Sequence, residues 1–410
     1  MWKSPEKRRI ISVVVLIVLA LGAWQIRQDM LRKSLVHDIT LAGERASTSP
    51  PNPAWWERLP GGNLLAHKLD REWTVKIVKL HQADDTFVSQ LHRLPELRRL
   101  ELVEPRLSPD GWAAIGKCRN LRQLYIRHSG IPVQGFSAIA KLSMLDVLKL
   151  EYCRFEPESI LSMRPASSPH EINMLRDLSL CGSNVSDLGL MTLSAYPYLE
   201  RLDLSQTQIS DSGMVAISHC VNLQELMLAQ TPVSDAGLYQ LKTLRLSTLN
   251  LSNTQVTGEA FHSWWYPVDL ATLNMSGCRI SRDGMIRLSK LRGLIMLDLG
   301  FTATTDRDLA MLQNLFDLHH LRLRNTQIEG HGLHYLSNLN RLACIDLREA
   351  PLKQSAVSAL ATLTQLRQLN VAGTRLSLDD QVALQDLKNL EGLVLQEPEL
   401  AQLSNQGWIF

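Results

Sequence analysis

The sequence predicts a curved α/β solenoid (a horseshoe) of about 13 to 14 short units, with a parallel sheet inside, short helices outside and one N-terminal transmembrane helix. Three observations predict it. A phrase made of a leucine-like residue, two variable residues, leucine, one variable residue and leucine begins at Leu97, Leu121, Leu145, Leu175, Leu199, Leu223, Leu246, Leu270, Leu294, Leu318, Leu342, Leu366 and Leu390. Ten of the twelve intervals are 24 residues, one is 23 and one is 30. Each phrase ends in period-two alternation and is followed by an apolar pair spaced by three, as in Trp112 and Ile115, Met214 and Ile217, or Leu309 and Leu312. The first pattern suits a strand with its leucines inward and the second one face of a helix. The third observation is a run from Ile10 to Ile26 without a charge.

That run opens the chain. It is 17 residues long and follows Lys3, Lys7, Arg8 and Arg9, just long enough for a membrane helix, which needs roughly 17 to 25 apolar residues. Residues 1–27 are therefore read as an anchor; Ala20 and Gly22 leave a cleaved signal peptide as the rival. Arg27, Arg32 and Lys33 follow the run, but the denser basic cluster before it favours a cytoplasmic N-terminus and extracytoplasmic repeats. Residues 28–53 form a juxtamembrane helix and a proline-broken linker, ERASTSPPNP.

An open solenoid exposes a bare core at its ends, so atypical units must cover it. Residues 54–96 supply such a cap, with Trp55, Trp56, Leu59, Leu64 and Leu65 packing down, and a degenerate first repeat in which Val75, Val78 and Leu80 mimic the strand and Val88, Leu91 and Leu94 the helix. Residues 97–410 are the array with a C-terminal cap. A stack grows by adding units, so 410 residues make one elongated domain rather than two or three globular ones. Ser210 with Asp211, and Ser234 with Asp235, are expected as N-caps of the helices that follow them.

The register also sorts the cysteines. Cys118 and Cys220 share a slot four repeats apart, about 20 Å at ~4.8 Å per strand, whereas a disulfide needs Cα atoms within about 7 Å. Cys153 and Cys278 share another slot five repeats apart, Cys344 is alone, and Cys153 and Cys181 occupy different slots of adjacent units. Reduced, structural thiols are expected.

With these residues in view, the chain resembles the leucine-rich-repeat family over about three quarters of its length. Where many members place asparagine, three residues after the last strand leucine, this chain has Thr207, Thr231, Thr254, Thr302, Thr326 and Thr374, with Cys153, Cys278 and Ser183 elsewhere. A stacked ladder of small hydrogen-bonding side chains is expected at that turn. The Thr-x-Ile-Ser-Asp-x-Gly wording resembles repeats of bacterial membrane-linked members; cysteine in the slot resembles eukaryotic ubiquitin-ligase adaptors. The resemblance implies a non-enzymatic interaction module.

Composition and motifs narrow the function further. A net charge of +2 gives no field that argues for nucleic acid. Gly111, Gly116, Lys117 and Cys118 approach a phosphate-binding loop, but Cys118 stands where serine or threonine is needed, and Trp112 and Ile115 fill core slots. His319, His320, His331 and His334 are read as solvated rather than as metal ligands, because Leu321 and Leu323 intervene. No cofactor, metal or catalytic constellation is expected.

Specificity is expected on the outward strand positions. Asp177, Arg201 and Glu225 follow one another in one column, and Asp298, Arg322 and Asp346 in another, so these charges should neutralise each other. Arg324 above Arg348, with His320 nearby, is instead a candidate anionic contact, which Glu349 could neutralise. Arg122, Tyr125, Arg127, His128 and Tyr152 form a second candidate patch of the aromatic-and-arginine kind found at interface anchors, with Glu151 as an internal partner for Arg127. The insertion at 164–171, and Trp265 with Tyr266, are further candidate contacts. The reading is a membrane-anchored module that binds a protein or an extended ligand through its concave face; the alternative is an intracellular substrate adaptor of a ubiquitin-ligase complex.

Overall fold

The structure, a computed structural model, describes residues 45–49, 74–163, 174–264, 269–387 and 389–395. They fall into two units, one of residues up to Phe155 with Ser162–Leu175, the other of Glu156–Leu161 with everything from Arg176 onward. The segment 10–26, the proposed cap residues from Trp55 to Leu65, the insertion at 164–171, Trp265, Tyr266 and the C-terminal cap lie outside the described residues.

In the first unit, strands β2 (Thr74–His81), β3 (Arg99–Val103), β4 (Gln123–Arg127) and β5 (Val147–Glu151) pair in parallel. Arg99, Gln123 and Val147 stand side by side, so the 24-residue sequence period is also the hydrogen-bonding register. Helices α1 (Asp85–Val88), α2 (Pro109–Ile115) and α3 (Val133–Ile139) return the chain between strands. Val78, Leu80, Val88 and Leu91 are buried as one set.

One expectation is corrected here. Arg45–Ser49, inside the supposed linker, is a strand (β1) that pairs antiparallel with β2. The prolines at 50, 51 and 53 fall outside it, and a serine- and threonine-rich edge strand can occupy the side of β2 that no other described strand pairs with.

The second unit stacks ten strands: β6 (Asp177–Ser179), β7 (Arg201–Asp203), β8 (Glu225–Met227), β9 (Thr248–Asn250), β10 (Thr272–Asn274), β11 (Met296–Asp298), β12 (His320–Arg322), β13 (Cys344–Asp346), β14 (Gln368–Asn370) and β15 (Gly392–Val394). Each pairs in parallel with the next. The sheet partners on both sides of Leu249, Leu273, Leu297, Leu321, Ile345 and Leu369 are themselves leucine or isoleucine, and these six are all buried. Burying a leucine of this kind contributes about 1.5 to 3 kcal/mol.

The return segments are short and not all α-helical. Helices α4 (Met214–Ile217), α5 (Asp235–Gln240), α6 (Arg282–Leu288), α7 (Asp306–Leu312), α8 (Ser355–Ala361) and α9 (Leu378–Gln385) alternate with 3-10 segments at Gly189–Ala195, Glu259–Ser263 and His331–Asn338. The last two begin after Gly258 and Gly330, at φ +91° and +112°. A Cβ at Gly330 would lie 2.2 Å from Ala356 Cβ, so the left-handed glycine also admits the neighbouring repeat.

The turn ladder forms as expected. The hydroxyls of Thr207, Thr231, Thr254, Thr302, Thr326 and Thr374 donate to the carbonyls of Leu204, Leu228, Leu251, Leu299, Leu323 and Val371 at 2.6 to 2.7 Å. Cysteine in the same slot reaches the preceding repeat: Cys278 Sγ donates to Leu251 O at 3.0 Å and Cys153 Sγ to Ile126 O at 3.5 Å. All six cysteines are free thiols.

The expected caps are partly redrawn. Ser234 does cap α5, accepting from Ala236 N at 3.2 Å, whereas the helix after Ser210 starts only at Met214. The aspartates act on the next repeat instead. Asp187 accepts from Ser210 N and Oγ at 2.9 and 2.5 Å, Asp211 from Ser234 N and Oγ at 2.8 and 2.6 Å, and Asp235 from Thr257 N and Oγ1 at 2.7 and 2.8 Å. The glycine of the Ser-Asp-x-Gly wording leaves room for that carboxylate, since a Cβ at Gly237 would sit 2.4 Å from Asp211 Oδ1.

Candidate functional site

The repeats of the second unit offer up to four positions outside the leucine core: the first and third strand residues, the residue two further on, and the one after that. In the unit from Leu246 these are Thr248, Asn250, Ser252 and Asn253. The third strand residue is held by its own turn. Asp203, Asn250, Asn274, Asp298, Asp346 and Asn370 each accept, through Oδ1, the backbone N–H two residues ahead at 2.9 to 3.1 Å. The fourth position is left-handed. Gln206, Gln230, Asn253, Phe301, Asn325 and Glu349 occupy φ of 49° to 58°. Asparagine tolerates that region; phenylalanine there is costly, so Phe301 is an outlier. Phe301 is also 51% exposed.

Around Phe301 the structure places Arg324 of the first predicted patch and corrects that patch's premise. The column of two like charges is compensated: Arg324 Nη2 donates to Glu349 Oε1 at 2.6 Å, Asn325 donates to the other oxygen at 3.0 Å, and Arg348 pairs with Asp346 at 2.6 Å. The Arg324 hydrogen bond holds the Glu349 carboxyl below the usual carboxylate range. The Arg324 guanidinium also lies 5.2 Å from the Phe301 ring centroid, while its Nε is buried without a partner. His320 starts β12 and so stands four residues from Arg324, about 13 Å along extended chain. Burial, then His319 and Arg322, hold its imidazole below the usual value. Arg322 bridges toward Asp298 at 3.5 Å, as the column predicted. Burial nevertheless pushes the Asp298 carboxyl up, against the Gly300 N–H and Arg322, and Asp346 adds repulsion. In the other charged column Arg201 meets Asp177 at 3.2 Å.

In the first unit the second predicted patch divides. Arg122 precedes β4 and faces Asp146 at 4.0 Å, while Arg127 and His128 lie at the other end of that strand, roughly 16 Å away. Arg127 donates to Glu151 at 2.7 Å, which raises its own pKa. Tyr125 lies under the Arg99 guanidinium, 4.4 Å from centroid to carbon. His128 and Tyr152 both occupy the left-handed slot, and their rings stack at 5.2 Å. Charge is thus internally matched in both patches, and what stands out is aromatic surface.

Sequence reasoning missed Phe301 and the whole left-handed column. The available signal was position: one residue before each ladder threonine, polar in most repeats, phenylalanine in one. It also missed two hollows beside the helices. One, of about 480 Å³, is lined by Asp235, Tyr239, Glu259, His262 and Arg287, and one of about 300 Å³ by Arg282, Met285, Thr304, Arg307 and Asp308. Their carboxylates already have structural work: Asp235 accepts from Thr257 and Ala260, and Asp308 from Thr305. Among the described residues no group of His, Cys, Asp and Glu is placed to hold a metal ion. Burial pushes the thiols of Cys118, Cys153 and Cys220 up to about 11, so they are protonated at neutral pH.

A family model for the leucine-rich repeat matches residues 197–218. No curated protein sequence matches the chain. The structure is similar to that of an internalin from Listeria monocytogenes, with TM-score 0.59 and 18% identity over 82% of this chain and 93% of the other. It is similar to a leucine-rich-repeat protein of Leptospira interrogans, with TM-score 0.54 and 18% identity over 82% and 92%. TLR13 in its complex with ssRNA13 gives TM-score 0.52 and 18% identity over 78% of this chain and 51% of that one. At such identities the likeness carries the fold alone, and the matched repeat adds the wording: strand, threonine-lined turn and capped return, stacked every 24 residues, form a leucine-rich-repeat fold in which residues 197–218 match the family's own repeat model.

Proposed function

We propose that the protein is a non-enzymatic binding module, held in a membrane by residues 10–26, that presents the strand face of its repeats on the extracytoplasmic side to a protein or another extended ligand. One observation carries the reading. Along β7 to β12 the inward residue is always leucine and always buried, while the outward residue before it changes from Arg201 to Glu225, Thr248, Thr272, Met296 and His320. The fold fixes the first series and leaves the second free, which suits a surface whose side chains serve something outside the chain. Buried, protonated thiols and carboxylates engaged in caps and turns favour binding over catalysis. Phe301 with Arg324, and His128 with Tyr152, are the contacts this reading favours.

Among the described residues no helix is long and apolar enough to cross a membrane, and 10–26 lies outside them. The anchor therefore rests on the sequence. A topology reporter fused after Phe410 should read on the far side of the membrane; a cytoplasmic signal would favour the intracellular adaptor instead. For the face, a photo-crosslinking residue at Met227, on β8, should capture a partner in intact cells, whereas one at the exposed Ser358 of α8 should not. Capture at Ser358 alone would reject the strand face.

A further inference from the structure

We propose that the strand face of the second unit, across β9, β10 and the turn after β11, binds a neutral glycan strand. The proposal names the ligand class of the face already proposed and rests on that reading. The sheet register sets Thr248 beside Thr272 and Met296, and Asn250 beside Asn274 and Asp298. The next residues outward are Ser252, Ser276 and Gly300, then Asn253, Gly277 and Phe301. Two adjacent repeats thus show the same uncharged set, and a half-exposed aromatic ring closes one side.

The polar groups of this grid are unspent. Oδ1 of Asn250 and Asn274 takes the N–H of Ser252 and Ser276, at 3.0 and 2.9 Å, which fixes the amide orientation and leaves both Nδ2 groups as donors toward solvent. The hydroxyls of Thr248, Thr272, Ser252 and Ser276 make no hydrogen bond within the described residues. Most other outward charges of this unit are paired within the chain, as Arg201 is with Asp177 and Arg322 with Asp298. Sugars offer hydroxyls that both donate and accept, and an apolar ring face whose C–H groups suit the electron-rich face of an aromatic ring. Phe301 supplies that platform and Asp298 an acceptor at its edge.

Step and charge choose among extended ligands. The columns advance by about 4.8 Å per strand, while an extended peptide presents same-side groups about 6.8 Å apart and drifts out of phase. A pyranose ring is close to one strand step in length. Glu225 flanks the grid, and the nearby Arg322 and Arg324 are already engaged by Asp298 and Glu349, which disfavours anionic chains.

The test is titration of the full-length protein in detergent with cellohexaose and with N,N′-acetylated chitohexaose, beside polygalacturonate and an uncharged serine–asparagine peptide. Two variants borrow residues that the same slots hold in other repeats. N250D/N274D keeps the turn as Asp203 and Asp298 do and removes the donors; F301N matches Asn253 and Asn325. Saturable binding of a neutral hexasaccharide, weakened about tenfold or more by each variant with unfolding unchanged, is expected. The proposal falls if the folded protein binds neither hexasaccharide, if both variants bind as the parent does, or if the peptide or polygalacturonate binds better. Crosslinking at Met227 to a protein, with no glycan bound, would sink this inference and leave the strand-face reading standing; absence of both would remove the two together.

Discussion

At the ladder position after each strand a single hydroxyl decides whether the turn closes. Thr231 is buried and donates to Leu228 O at 2.7 Å, so Thr231→Val keeps the volume and strands that carbonyl. A loss of about 1 to 2 kcal/mol in urea unfolding is expected. Cysteine solves the same problem with a weaker donor. Because the thiols of Cys118, Cys153 and Cys220 are raised from 9.0 to about 11 by burial, their protonated form is favoured in the fold. The stability this contributes is complete below pH 9, where unfolded thiols are still protonated, and is lost as pH rises from 9 through 11. The unfolding midpoint should therefore drop across that window, and the triple Cys→Ser variant should show a flatter profile. The ladder was legible because threonine recurs at one offset. Phe301 was not, because nothing in a 24-residue phrase says that the residue before the threonine has positive φ.

Between elements, the Ser-Asp-x-Gly wording looks like a local cap and works as an interlock. The sequence places Asp211 just before a helix, and a one-dimensional reading assigns it there; only stacking brings it to Ser234, 23 residues on, and to the space beside Gly237. That is why the presence of helices was legible and their wiring was not. The same reasoning explains the charge columns: β pairing put Arg201 on Asp177 as expected, but Arg324 turned to Glu349 because the left-handed turn swings residue 349 back over the preceding repeat. Gly237→Ala should cost more than about 2 kcal/mol, since its Cβ would also meet Asp211 Cα and Met214 Cγ at 2.9 Å. Asp211→Ala should cost about 1 to 2 kcal/mol through the lost bonds to Ser234. The double variant should lose less than the sum, because removing the carboxylate makes room for the methyl group; strict additivity in a double-mutant cycle would refute the interlock.

Within each of the two units, the period read from Leu97 onward gave strand order, direction and register, because a stack of identical steps admits little else. The edge strand Arg45–Ser49 escaped, since it belongs to no repeat and is recruited by the free side of β2. The same one-dimensional logic governs how the second unit should open. Each interior repeat is held by two neighbours, and the repeat of α9 and β15 is thinly buried, with Leu378 79% and Val382 57% exposed, Leu384 the one buried residue of that helix and no residue of β15 buried. Array stability is approximately a sum of unit and nearest-neighbour terms, so opening free energy should rise from this thinly buried repeat toward β12. Hydrogen exchange should be fastest in β15 and α9, slower at β14 and slowest around β9 to β12. Leu273→Ala, at a fully buried interior site, should cost about 2 to 5 kcal/mol and split the protection of the array, while Leu384→Ala should speed exchange only from β14 onward. Uniform exchange across all ten strands would mean that the unit opens in one step and that neighbour coupling exceeds its total stability.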